Sequence, residues 1–149
     1  MRGIEMPPWS LHDSSMVYLA APYTHDDREI VEARVSETAY IAGEILALTK
    51  KPIFAPTVMG HAIEKVIAEK GHTISYDAWV EIGLAALKKC DLMLIALISG
   101  WEESAGVERE VSYAITWGIP IKCVEMDDDG TLYIGPLSAY MEKAKWHLK

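Results

Sequence analysis

The sequence contains little cysteine, little positive charge and no long apolar run, and each shortage excludes a class of protein. Cys90 and Cys123 are the only cysteines among 149 residues, and their apolar neighbours indicate buried reduced thiols rather than a disulfide. The longest apolar run, residues 92–98, is far too short to span a bilayer. Fourteen basic residues against twenty-two acidic ones give a net charge of −8, which argues against a polymeric DNA or RNA partner.

Motifs for bound cofactors are missing as well. The five histidines form no HxxxH or HxH pair, so a zinc site has little support, and no GxGxxG or GxxxxGK(S/T) motif marks a dinucleotide or P-loop enzyme. Residues 127–130 lack the spacing of a calcium loop and predict a hairpin turn instead. We therefore expect no metal or organic cofactor. Residues 1–15 do not have the pattern of a signal peptide, and we expect a cytoplasmic protein with no membrane partner.

Short apolar runs alternate with helical patterns along the chain, which indicates an α/β fold. The strands are predicted at residues 16–21, 51–55, 92–98, 119–124 and 131–134. The helices are predicted after Asp26 and Asp27 as far as residue 50, at 62–69, at 76–89, from the 102–106 loop to 117, and at 137–148. This alternation predicts right-handed βαβ units and a flavodoxin-like, doubly wound, mainly parallel five-stranded sheet with helices on both faces.

Two further expectations follow from this order of elements. Residues 1–15 are predicted to form a flexible leader, and residues 16–149 a single domain. Ligands bind beyond the carboxyl ends of the strands in such a sheet, so the residues that follow positions 21, 55 and 98 are expected to form the binding site.

The segment between the most apolar strand and the next helix carries the most information about chemistry. Ser104 can cap that helix, and Gly106 lets the backbone approach a ligand closely. At about 100° per residue, Glu108 and Glu110 lie on opposite flanks of the buried stripe, while Arg109 points to solvent. Either glutamate can therefore border a pocket, and the alternative is that both are ordinary acids of a first helical turn.

Three segments of the sequence, taken in order, are YLAAPY at 18–23, KCD at 89–91 and GWEESAGVERE at 100–110. Together they resemble the nucleoside 2-deoxyribosyltransferase superfamily, and in particular its small bacterial and phage branch. The most specific element is the signature (Asp/Ser)-x-Gly-x-x-x-Glu, which is met by Ser104, Gly106 and Glu110. The similarity covers residues 17–124, and the superfamily includes deoxynucleoside 5′-monophosphate N-hydrolases as well as transferases.

The resemblance implies that Glu110, rather than Glu108, is a nucleophile that attacks the anomeric carbon of a sugar and expels the base. Water then hydrolyses the covalent glycosyl ester, or a second base takes the sugar, with retention of configuration. Ser104 stands where transferases carry an aspartate for the 5′-hydroxyl and monophosphate hydrolases carry a serine for the 5′-phosphate, which favours a nucleotide. The plain alternative for Ser104 is an N-cap, and both roles can coexist.

One departure from the superfamily pattern concerns the acid that handles the proton of the leaving base or orders the nucleophile. Relatives carry an aspartate eight residues before the one that starts the central strand, and eight residues before Asp91 is Gly83. Glu81 and Asp77 are nearby acids on the same helix, about 200° and about 120° from Gly83 around its axis. Glu81 is the candidate catalytic replacement; otherwise the activity is weak, altered or lost.

Further residues are candidate substrate contacts. Pro22 and Tyr23 follow the first strand, where a tyrosine can stack on a nucleobase or merely anchor a loop. His61 can hydrogen-bond a base or phosphate, its alternative being a surface position, and Trp79 can wall the pocket or belong to the core. Arg34 can reach a phosphate or, as the plainer interpretation, is a solvated helix charge.

The expected partner is a small nucleoside or nucleotide, and the resemblance implies a homodimer or larger homo-oligomer. The first functional hypothesis is N-glycosidic cleavage of a nucleoside 5′-monophosphate or nucleoside by a glutamate nucleophile. Deoxyribosyl transfer between bases is the second, and a nucleotide-binding or sensing module without turnover, supported by Gly83, is the third. A purely structural oligomer is also open.

Overall fold

The computed structural model describes residues 3–6, 11 and 16–148 of the chain. Its strands are β1 (Ile4–Glu5), β2 (Val17–Ala20), β3 (Ile53–Phe54), β4 (Leu92–Ala96), β5 (Ile121–Met126) and β6 (Leu132–Pro136). Its α-helices are α1 (Arg28–Thr49), α2 (Pro56–Glu69), α3 (Tyr76–Lys89) and α4 (Ala105–Thr116). Two short 3-10 turns, Trp101–Glu103 and Leu137–Ala139, complete the regular structure of the described residues.

The described strands form one six-stranded sheet in the order β1-β6-β5-β4-β2-β3. The neighbours β3, β2, β4 and β5 run parallel, whereas β6 pairs antiparallel with both β5 and β1. The predicted mainly parallel α/β sheet is therefore confirmed, but it has six strands rather than five. β6 runs antiparallel because a short turn joins it to β5, and a short hairpin cannot connect parallel strands. Gly130 takes a φ of 83° in that predicted turn.

The sixth strand, β1, lies inside the segment that the sequence predicts to be a flexible leader. Of residues 1–15, the structure describes 3–6 and 11, and there Ile4 and Glu5 pair with Ile134 and Tyr133 of β6. Met6 and Leu11 are both buried in the core. The other residues of the predicted leader lie outside the described residues.

The helices follow the predicted pattern with two exceptions, which are the start of α2 and the segment after β6. Asp27 caps α1 by accepting a hydrogen bond from the Glu29 amide at 2.9 Å, and α3 spans the predicted residues 76–89. The helix α2 begins at Pro56, six residues before the predicted start, because proline is well suited to a first helical turn.

The predicted terminal helix at 137–148 is wrong, since only the 3-10 turn Leu137–Ala139 forms there. The backbone amides of this segment bond to other parts of the chain instead of to a helical turn. The Lys145 amide donates to the Glu102 carbonyl, and the His147 amide donates to the Glu108 carboxylate, both at 2.8 Å. Trp146 then packs edge to face against buried Trp101, so tertiary contacts outweigh the helical pattern.

The core lies on both faces of the sheet, because successive strand residues point to opposite sides. Val17 and Leu19 of β2 face α1, where they cluster with Ile41 and Ile45. Tyr18 points the other way and joins Leu87 of α3 and Val111 of α4. The prediction of helices on both faces is thus confirmed, and Tyr18 is placed between β2 and the α3–α4 layer. Among the described helices, none is both long and apolar enough to cross a membrane.

Candidate functional site

A cavity of about 760 Å³ opens beyond the carboxyl ends of the parallel strands. Ala21 after β2, Pro56 after β3 and Gly100 after β4 all line it, so the three segments that the sheet topology predicts do converge there. All four α-helices and the loops next to them contribute to the remaining walls. The volume falls within the range of about 300–1,000 Å³ that is typical of small-molecule sites.

Glu110 lines this cavity, as do Glu64 and Glu103. It lies in the second turn of α4, is partly buried and accepts a hydrogen bond from the Tyr18 hydroxyl through Oε2. The two residues are 92 positions apart in sequence, and they meet because the Tyr18 side chain points to the face of the sheet on which α4 packs. The structure therefore chooses between the two glutamates that the helical pattern leaves open.

Burial controls the ionisation of this pair. Desolvation raises the pKa of Glu110 from 4.5 to about 7, although the Tyr18 hydrogen bond and the Arg109 charge act in the opposite direction. Burial and the neighbouring Glu110 carboxylate also raise the pKa of Tyr18 far above its ordinary value, so Tyr18 remains a hydrogen-bond donor. Near neutral pH, Glu110 is therefore partly ionised.

The neighbours of Glu110 on α4 have different surroundings. Glu108 accepts a hydrogen bond from the His147 amide at 2.8 Å and does not line the cavity. Arg109 does line it, and its Nη1 donates to the Tyr76 hydroxyl at 3.0 Å. The expectation that Arg109 points to solvent is therefore wrong, because α3 packs beside α4 and brings Tyr76 under the guanidinium group.

Ser104 and Gly106 lie at the start of α4 and line the cavity. Ser104 is the N-cap, and its Oγ accepts a hydrogen bond from the Val107 amide at 3.2 Å, so the plain capping role is present. A Cβ added at Gly106 would meet only the Ser104 Oγ, at an ordinary 3.8 Å. No steric demand of the described protein requires glycine at 106, and the open side faces the cavity.

Gly83 lies at the position where the resemblance leads us to expect a carboxylate. The structure explains why a residue without a side chain fits there. A Cβ at this position would lie 3.1 Å from the Tyr18 hydroxyl, which is tight enough to disturb the Tyr18–Glu110 hydrogen bond. Glu81 and Asp77 do not fill the role, because both are exposed and neither lines the cavity. The candidate assignment of Glu81 as a catalytic residue is thus not supported: it lies on the far side of α3 from Gly83.

A chain of hydrogen bonds runs along another wall of the cavity. The Tyr23 hydroxyl lies 2.8 Å from Nδ1 of His61, and Nε2 of the same ring lies 3.2 Å from Glu32 Oε1. Tyr23 and His61 both line the cavity. The His61 side chain is only 13% exposed, so its alternative as a surface residue is excluded. Glu32, on α1, is absent from the sequence predictions, since nothing in a helical repeat indicates that it meets His61.

Arg34 is also part of the cavity wall rather than a solvated charge. Its Nη1 donates to the Thr24 carbonyl at 2.8 Å, and its Nε is buried without a hydrogen-bond partner among residues 3–6, 11 and 16–148. The guanidinium group packs over Gly100, whose φ of 96° and missing side chain both suit this close approach. An added Cβ at Gly100 would overlap Nη2 of Arg34.

The remaining predicted contacts differ in their placement. Trp79 lines the cavity, and its Nε1 is buried without a hydrogen-bond partner among the described residues. Its ring packs beside Gly60 of α2, 3.6 Å from the position that a Cβ would take there. Pro22 is buried and does not line the cavity, so its assignment as a substrate contact is not supported. Pro22 lies two residues beyond the end of β2, and the next residue, Tyr23, lines the cavity instead.

The fold and the cavity define a mixed α/β domain with a ligand-sized site at the strand ends. The chain belongs to the family described as "Domain of unknown function (DUF1937)", whose sequence profile matches residues 15–126, that is, 112 of the 149 residues. The matched range includes every residue that lines the cavity. No curated protein matches the chain.

Proposed function

We propose that this protein cleaves the N-glycosidic bond of a nucleoside 5′-monophosphate by a retaining mechanism in which Glu110 is the nucleophile. The single observation that carries the proposal is Glu110 itself, held by the Tyr18 hydroxyl and facing a cavity at the strand ends. The resemblance to the nucleoside 2-deoxyribosyltransferase superfamily, with its flavodoxin-like fold, supports the same assignment through Ser104, Gly106 and Glu110.

Tyr18 orients the nucleophile. Its hydroxyl occupies Oε2 of Glu110 and leaves Oε1 to attack the anomeric carbon of the sugar. The partly apolar setting raises the pKa of Glu110 to about 7, so an ionised carboxylate is poorly solvated and correspondingly reactive. Attack by Glu110 breaks the bond to the base and forms a glycosyl ester, which water then hydrolyses from the side that the base has left.

The start of α4 and Arg34 suit the 5′-phosphate of the substrate. Ser104 and the first amides of α4 offer hydrogen-bond donors and the positive end of the helix dipole. Arg34 contributes a buried guanidinium Nε without a partner among the described residues, in the wall of the same cavity. Glu64, Glu103 and Glu110 also line this cavity, so the preference for an anionic ligand over an uncharged nucleoside rests on these specific donors and not on a net positive charge.

Release of free base from a panel of nucleosides and nucleoside 5′-monophosphates, followed by chromatography, tests the proposal. The Glu110→Gln variant should lose release, whereas Glu108→Gln, which changes the same functional group outside the cavity, should retain it. The glycosyl ester should be detectable on the peptide that contains Glu110 by mass spectrometry after acid quenching.

Two outcomes would contradict hydrolysis by Glu110. Release that persists in Glu110→Gln would exclude the nucleophile. Thermal stabilisation by a monophosphate without any release would indicate a binding module instead. If added free base suppresses hydrolysis and forms a new nucleotide, the same nucleophile serves a transferase. Assembly into a homo-oligomer and cytoplasmic location stay predictions.

A further inference from the structure

The geometry points to Tyr23, His61 and Glu32 as a proton relay in the cavity wall, in which the Tyr23 hydroxyl protonates the departing base and His61 replaces the lost proton. This inference rests on the proposed N-glycosidic cleavage. A nucleobase leaves poorly as an anion, and a positioned acid contributes about 10²–10⁴-fold in rate. Because Gly83 carries no side chain and Tyr18 is bound to Glu110, the acid has to come from another wall.

The three side chains are connected in the order that a relay requires. Tyr23 Oη lies 2.8 Å from Nδ1 of His61, whose Nε2 lies 3.2 Å from the Glu32 carboxylate. Lys65 also contacts that carboxylate, at 3.4 Å. Lys65 and His61 together outweigh desolvation and lower the pKa of Glu32. Glu32 therefore remains an anion, holds a proton on Nε2 and fixes the orientation of the ring.

The proton balance closes over one catalytic cycle. The relay requires a ring with protons on both nitrogens at the start of the cycle, so that Nδ1–H donates to the Tyr23 oxygen and the Tyr23 O–H is available to the substrate. When Glu110 attacks the sugar, the electron pair of the breaking bond goes to the base, which takes the Tyr23 proton while His61 reprotonates the Tyr23 oxygen. Tyr23 then donates to the neutral ring.

The second half of the cycle runs in reverse. As water attacks the glycosyl ester, its proton passes to Tyr23 and the Tyr23 proton passes to His61, while Glu110 leaves as a carboxylate. Water enters on the side that the base has left, so one group can serve both steps. No further proton donor or acceptor is needed.

Other proton donors on the cavity wall are less suited to this role. Tyr76 accepts a hydrogen bond from Arg109, and Glu103 is largely exposed beside Lys145. Glu64 lines the cavity next to His61 and is the strongest rival, because it is a partly buried carboxyl group. The test must therefore separate Tyr23 from Glu64.

The experiment compares two leaving groups on each variant. One substrate is the nucleotide from which the wild type releases base; the other is the corresponding sugar 5-phosphate with 4-nitrophenolate in place of the base, which departs without a proton. Tyr23→Phe should lower kcat/KM for the nucleotide by about 10²-fold and that for the nitrophenyl substrate by less than about 3-fold. His61→Gln added to Tyr23→Phe should cause no further loss, because both act in one step.

Tyr40→Phe removes a hydroxyl that lies outside the cavity and should change neither rate. Equal losses on both substrates in Tyr23→Phe, or no loss on either, would overturn the relay, as would a leaving-group-dependent loss in Glu64→Gln instead. Failure of the wild type to cleave the nitrophenyl substrate while releasing base would also overturn it. Failure of the wild type on every substrate would refute the proposed cleavage itself, which distinguishes the two proposals.

Discussion

Replacement of Glu110 by glutamine is expected to stabilise the fold in alkaline solution far more than in acid. The pKa of Glu110 is raised from 4.5 to about 7 by burial, so the folded protein binds this proton more tightly than the unfolded chain does. Stability contributed by the protonated group is therefore lost as the pH rises from 4.5 through about 7. Glutamine is neutral at every pH, keeps nearly the same shape and can still accept a hydrogen bond from Tyr18.

The magnitude follows from the two pKa values. The difference between 4.5 and about 7 corresponds to about 3 kcal/mol in the free energy of unfolding, at 1.36 kcal/mol per pKa unit. Since the Glu110 side chain is partly exposed, this figure is an upper limit. For a chain of this length, it would raise Tm by roughly 6–12 °C in the variant at pH 8.5.

Urea unfolding at 25 °C between pH 4 and pH 8.5 measures this effect directly. The advantage of Glu110→Gln over the wild type should grow from about pH 4.5 to about pH 7 and then stay constant. Glu108→Gln, on the same helix but outside the cavity, is the matched control and should not reproduce this growth. A difference that is the same at all pH values, or that favours the wild type at pH 8.5, would refute the burial of Glu110 as the cause.

Two other substitutions test neighbouring parts of the site. Arg34→Gln should raise KM for a nucleoside 5′-monophosphate by about 10–100-fold, because a charge-assisted hydrogen bond to the phosphate is lost. The KM for the corresponding nucleoside should change little. Equal effects on both substrates in steady-state kinetics would argue against a phosphate role. Gly83→Ala should lower kcat by roughly 10-fold by moving Tyr18 from Glu110, and an unchanged kcat would show that the tyrosine is dispensable.

The fold could be predicted from the sequence where local patterns are strong. The apolar run of β4 and the helical repeat of α3 each identify an element, and the order of elements identifies the sheet edge where a cavity forms. The terminal segment is the counterexample. It has helical spacing, yet Trp146 packs against Trp101 and the backbone bonds elsewhere, because tertiary packing outweighs propensity in a short helix.

The candidate site was only partly predictable for a different reason. Glu110, Ser104 and Gly106 stand close together in one segment, whereas Tyr18 meets Glu110 across 92 positions. The sequence does contain a signal for this contact, because Tyr18 lies in an otherwise apolar strand and position 83 is a glycine. Arg109 lines the cavity because α3 packs beside α4. The spacing of residues along the sequence does not specify this packing.

The proposed cleavage would make two opposed demands on protons, which the proposal assigns to two separate parts of the cavity wall. The nucleophile must be ionised, whereas the departing base must receive a proton. Glu110 has a pKa of about 7, so the negative charge of a bound phosphate alone would drive it toward its protonated, unreactive form. The positive charge of Arg109, which also lines the cavity, opposes that effect. Under the proposed mechanism, Arg109 would therefore serve the reaction as well as the binding of an anion, because its charge opposes protonation of Glu110, and a separate group would supply the proton for the base.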